Sequence, residues 1–153
     1  MPSKNPPRLA ADETLGKLAL WLRVLGLDTV YLRPGTGPAQ KSRLARGRIF
    51  LTRTKGLALG RTIFVAQDEP REQLRAVVAE LGLEEARLNP FSRCLRCNQI
   101  LEKIARDQAA GLVPDHILRV HHSFKRCPEC GRVYWPGSHQ ERMSRRLKQL
   151  EIP

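Results

Sequence analysis

Two cysteine pairs do most to limit what this chain can fold into. They read Cys94-Leu95-Arg96-Cys97 and, after 29 intervening residues, Cys127-Pro128-Glu129-Cys130-Gly131. Each CxxC forms a tight knuckle that aims two thiolates at one ion. Two knuckles complete a tetrahedral four-sulfur set, the kind zinc or an iron–sulfur centre accepts. In a reducing compartment clustered cysteines read as metal ligands before disulfides, and a redox CxxC would need only one pair. Zn2+ is the expected ion. Four thiolates leave no open coordination position, so the site is expected to be structural, a staple for a small module with few aromatics. His121 and His122 lie close to the second pair but are surplus to a full set, and are expected on the surface.

Upstream of the cysteines the pattern is different. Residues 1–7 read as a disordered lead-in. Arg8 to Ala11 is a short apolar run that stops at Asp12, which fits a buried strand with a carboxylate at its end. Leu15, Leu18, Ala19, Leu22 and Leu25 form one apolar stripe of a helix, with Trp21 beside it, Thr14 as a candidate cap and Gly26 as a stop. Further strands are expected over residues 28–32, 48–52 and 61–65. A Pro/Gly loop at 34–38 leads into a basic helix over 39–46, and a second helix over 72–81 opens at Pro70 and ends at Gly82. Strands alternating with helices imply an α/β layer fold with a mainly parallel sheet. Ligands of such sheets sit outside the carboxyl ends of the strands, where Asp12, Thr54 and Asp68 fall. The alternation stops at Asn89-Pro90-Phe91. This sets an α/β domain over residues 8–89 and a small zinc ribbon with a C-terminal basic helix over 90–153.

The net charge of +12 on 153 residues points to a polyanion, most often nucleic acid. No acid occurs between Asp28 and Asp68, while Arg33, Lys41, Arg43, Arg46, Arg48, Arg53, Lys55 and Arg61 do. Such a single-sign stretch attracts phosphates. Lys17 and Arg23 flank Asp12 on the first helix as candidate phosphate ligands. Arg132 precedes Tyr134 and Trp135, two aromatics that either stack on bases or pack the ribbon against its neighbour. Arg142, Arg145 and Arg146 share one face of the last helix and could track a backbone. No apolar run is long enough to span a bilayer. The polar, proline-rich start lacks a signal-peptide core, so the cytosol is the expected location.

Four segments together resemble the Mut7-C family. They are Asp12-Glu13-Thr14-Leu15-Gly16-Lys17-Leu18-Ala19-Leu20-Trp21-Leu22-Arg23-Val24-Leu25-Gly26-Leu27-Asp28-Thr29, Gly47 to Arg53, Pro90 to Asn98, and Phe124 to His139. The resemblance spans residues 8–147. It implies a PIN-like ribonuclease fold followed by a zinc ribbon, with carboxylates at the sheet's C-terminal edge holding Mg2+ or Mn2+ to activate water against an RNA phosphodiester. Asp12 matches the first family acid and Asp68 the last, with Glu13, Glu69 and Glu72 as possible helpers. The chain departs from the pattern twice. Arg33 to Lys41 replaces a segment that usually carries acids, and Thr52-Arg53-Thr54 stands where the family has Thr-Arg-Asp.

Three functions follow as expectations. The first is a metal-dependent ribonuclease acting through Asp12 and Asp68. The second is a degenerate relative that holds RNA on Lys17, Arg23, Arg48, Arg53, Lys55, Arg132, Arg142, Arg145 and Arg146. The third is an interaction module whose ribbon docks a protein partner.

Overall fold

The computed structural model describes residues 5–152. Of the expected lead-in, residues 1–4 lie outside that range. The Asn5 carbonyl accepts a hydrogen bond from Arg87 Nη2 at 2.8 Å.

Four strands form a wholly parallel sheet: β1 (Leu9–Ala11), β2 (Thr29–Tyr31), β3 (Ile49–Thr52) and β4 (Thr62–Phe64), in the order β2-β1-β3-β4. The central strands β1 and β3 are buried along their whole length and the edge strands only in part. This is why the centre reads as unbroken apolar runs without polar alternation. The two-residue side-chain period sorts the layers. Leu9, Ala11, Ile49 and Leu51 face one side, where α1 (Gly16–Val24) and α3 (Pro70–Glu80) pack through Leu18, Leu22, Leu74 and Val77. Ala10 and Phe50 face the other side, covered by Leu32 and by Ala45 of α2 (Pro38–Ala45). Trp21 is partly buried against the first of these layers.

The first helix begins differently from its sequence expectation. Thr14 does not cap it. A 3-10 turn over Glu13–Leu15 intervenes, and the Asp12 side chain caps that turn by accepting from the Thr14 amide. Asp is at least as good a cap as Thr, and here it lies at the strand end, where the chain first needs one. Gly26 ends the helix at φ +84°. A Cβ there would sit 2.2 Å from the Asn89 carbonyl oxygen, so glycine is required by both backbone and neighbour.

Beyond residue 90, β5 (Glu102–Ile104), β6 (Phe124–Arg126) and β7 (Val133–Tyr134) make an antiparallel sheet. Two short helices, α4 (Arg106–Ala109) and α5 (Asp115–Val120), lie between its first two strands. Its small core is Ala109, Val113 and Phe124, with Trp135 packed against them. The last helix, α6 (Ser138–Gln149), does not stay with this module. Met143 and Leu147, followed by Leu150 and Ile152, join the apolar cluster of the parallel sheet and its helices.

Candidate functional site

The four cysteine sulfurs converge, each Sγ within 4.8 Å of the others. Cys94 Sγ and Cys130 Sγ are 3.7 Å apart. A tetrahedron of ~2.3 Å zinc–sulfur bonds has edges of about 3.8 Å, so this spacing suits one thiophilic ion. The knuckles are built alike. In the first, Cys97 N–H points at Cys94 Sγ (3.4 Å), Asn98 N–H bonds to the Cys94 carbonyl (2.8 Å), and Cys94 N–H bonds to the Gln99 carbonyl (2.8 Å). In the second, Cys130, Gly131 and Arg132 repeat these contacts with Cys127 at 3.5, 2.9 and 2.9 Å. Each knuckle closes through a left-handed residue, Asn98 at φ +66° and Gly131 at φ +77°. Asn is among the few side chains that tolerate that region.

Tyr134 belongs to this centre. Its hydroxyl lies 3.2 Å from Cys94 Sγ and accepts the Leu95 amide at 3.1 Å. Burial and the bond to Cys94 push Tyr134 up to about 12, so it remains a donor. Burial alone would raise Cys94, but the Tyr134 hydroxyl and the Cys97 and Arg96 amides outweigh it and bring Cys94 down to about 7. A thiol so poised loses its proton readily to a metal.

The first knuckle is tied to the parallel sheet. Arg23, near the C-terminal end of α1, donates to the Leu95 carbonyl (2.8 Å), the Arg96 carbonyl (3.2 Å) and the Thr29 carbonyl (2.9 Å). Burial lowers Arg23 below its ordinary value, while the Cys94 and Cys97 thiolates act the other way. Asn98 accepts from Thr29 N at 2.9 Å and donates to Asp28 Oδ1 at 2.7 Å. Asp28 also takes Arg48 at 2.6 Å and Arg8 at 3.3 Å. Burial would raise Asp28, but bonds from Arg48 and Asn98 and the positive charge of Arg48 and Arg93 hold it below its ordinary 3.8.

Asp12 lies at the opposite, C-terminal edge, between β1 and β3, where the chain reverses its direction across the sheet. It is 6% exposed. Oδ1 accepts the Thr14 amide (3.0 Å) and hydroxyl (2.6 Å), and Oδ2 accepts the Thr52 hydroxyl. Thr52 Oγ1 in turn accepts the Thr54 amide at 3.0 Å, which commits its proton to Asp12. Asp68 follows β4. Its side chain is 85% exposed and ion-paired with Arg53. Buried Gln73 holds the preceding loop through the Gln67 and Asp68 carbonyls at 2.9 and 3.3 Å.

The chain matches the Mut7-C RNAse domain over residues 7–147. It is a member of the Mut7-C RNAse domain family. No curated protein and no solved structure matches it. Among the described residues of this Mut7-C chain, the cysteines form the one cluster of three or more His, Cys, Asp or Glu side chains able to share an ion. The acid edge does not fit a hard divalent cation in the same way. A carboxylate offers about four lone-pair sites, and Asp12 spends three of them on Thr14 and Thr52. Asp68 is bound by a guanidinium. Thr54 contributes a backbone N–H to Thr52.

The nine basic candidates fall into two groups. Arg23 and Arg48 are turned inward at the edge away from Asp12, on carbonyls and Asp28. Arg53 is tied to Asp68. Lys17, Lys55, Arg132, Arg142, Arg145 and Arg146 are exposed. Of the aromatics beside Arg132, Tyr134 bonds Cys94 at the cysteine cluster and Trp135 packs in the ribbon's own core. Asn98 went unnoticed in the sequence. Its place after a CxxC, matching Gly131, was the available signal. No described helix is long and apolar enough to cross a membrane.

Proposed function

We propose that this Mut7-C chain binds single-stranded RNA without cleaving it, on a sheet and ribbon stapled by one structural Zn2+. The observation that carries this reading is the state of the acid edge. Asp12 is consumed by Thr14 and Thr52, Asp68 is consumed by Arg53, and the exposed Lys17, Lys55, Arg142, Arg145 and Arg146 remain to meet phosphates. The net charge of +12 supports the same partner. Zn2+ fits the tetrathiolate by spacing and donor type and holds the knuckles in place with no part in chemistry.

The second reading, divalent-metal RNA hydrolysis in a PIN-like fold, is favoured by family membership and by the position of Asp12 at the sheet's topological switch point. One experiment separates the two. Labelled single-stranded RNA is incubated with the zinc-loaded protein and with Asp12→Asn, each with Mn2+. Binding that weakens steeply with salt, with no product in either sample, is the expected result. Cleavage abolished by Asp12→Asn would establish the nuclease instead. An absence of RNA affinity at physiological salt would leave the ribbon as a protein-docking module.

A further inference from the structure

A cleft of about 470 Å³ runs beside edge strand β2, from Asp28 to Arg33, between the first cysteine knuckle and α2. It straddles the open edge of the sheet, with Val30 and Leu44 toward the α2 side and Arg23 and Tyr31 toward the α1 side. Five arginines line it, against the acids Asp28 and Glu129. Three of the five are committed to the protein. Arg23 and Arg48 hold the contacts described above, and Arg93 donates to the Gly26 and Asn98 carbonyls at 3.0 and 2.8 Å. Asp28 is ion-paired with Arg48 and Arg8 and accepts a hydrogen bond from Asn98. That leaves Arg33 and Arg96, two guanidinium groups against the one exposed carboxylate of Glu129. Both are exposed, and neither guanidinium has a hydrogen bond or ion pair among the described residues.

The cleft also offers apolar surface. Leu44 is 37% exposed, and half-buried Val30 of β2 lines the cleft with it. Free guanidinium forks match phosphate oxygens, and partly exposed aliphatic side chains match the apolar face of a nucleobase. The basic residues Arg43 and Arg46 of the α2 segment continue the positive field past Leu44. We infer that this cleft seats a segment of single-stranded RNA, with backbone phosphates on Arg33 and Arg96 and a base against Val30 and Leu44. The inference rests on the RNA-binding reading and locates it on the molecule.

The test uses the full-length, zinc-loaded protein and a fluorescein-labelled single-stranded RNA, followed by anisotropy across a salt series. Arg33→Ala/Arg96→Ala is expected to bind at least about tenfold more weakly. The slope of log affinity against log salt should fall by about 1.4, at roughly 0.7 per lost single-strand phosphate contact. Its thermal melt should match the parent, since neither side chain supports the fold. Leu44→Asp, at an exposed position, should weaken binding as well. If the parent binds RNA and the double variant binds equally well with an unchanged slope, the cleft is not the seat, although the RNA-binding function stands. If the parent binds no RNA, the functional reading itself fails. Competition by adenosine monophosphate at the same concentration as the RNA would overturn the strand assignment in favour of a mononucleotide pocket.

Discussion

Asp12 shows how the donors around a carboxylate decide what it can do. A buried carboxylate with two unsatisfied oxygens would be a strong ligand for a hard cation. With three donors already on it, the same carboxylate is an anchor for the turn after β1. Asp12→Ala should therefore cost stability more than function. It removes a cap and leaves the buried Thr52 hydroxyl without its acceptor, a loss of about 1–3 kcal/mol. The check is the midpoint of urea unfolding, with RNA affinity measured alongside and expected to hold. At Asp28 the balance depends on pH. Its carboxyl titrates lower when folded than its ordinary 3.8. The stability it supplies is thus fully present above that value and is lost as pH falls through the folded value. Asp28→Asn should flatten this acid limb, which thermal melts between neutral and strongly acid pH would reveal.

At the scale of elements, the alternating strands and helices of the first half were legible because each central strand is a dense apolar run and each helix carries one stripe. β1, β2, β3 and β4 fall where residues 8–11, 28–32, 48–52 and 61–65 suggested, shortened at their ends. The cysteine knuckles were legible because thiolate spacing has few other uses. The rest depended on contacts that local pattern cannot carry. Asn98 reads as an ordinary polar residue until its backbone is left-handed and its amide reaches Asp28. The cap went to Asp12 because a 3-10 turn, indistinguishable in sequence from a first helical turn, precedes α1. The basic residues divided into inward and outward groups only once the strand ends near each were known. One element-scale expectation concerns the metal. Thiol modification should release one zinc per chain, and Cys127→Ser should abolish its uptake. Because Arg23 binds the first knuckle and Asn98 of that knuckle accepts the Thr29 amide, amide exchange at Thr29 should quicken on metal loss together with that of Cys94 and Cys97.

Across the whole molecule, the two sheets share more than a linker. Asn89 and Phe91 donate backbone bonds to the Leu25 and Val24 carbonyls at 3.2 and 2.9 Å, which fixes the chain as it leaves the first sheet. At the other end α6 brings Met143, Leu147, Leu150 and Ile152 back into that sheet's apolar cluster. Leu147→Ala should lower stability by about 2–4 kcal/mol although it lies far along the chain from every strand of the sheet it supports. Chemical denaturation should show a single transition for both sheets, and this substitution should shift it without splitting it. The outward face of the same helix carries Arg142, Arg145 and Arg146, so replacing those three should lower RNA affinity and its salt slope while leaving that transition in place.

The returning helix also bears on how such a chain can be cut and recombined. A fragment that stops at the proline after the parallel sheet would bare a greasy seam, and the excised ribbon would carry off four side chains shaped for another body's interior. The module is not portable. Transplanting it into a new gene would require rebuilding the far side of the seam, so exchange of parts in this architecture should proceed by whole chains.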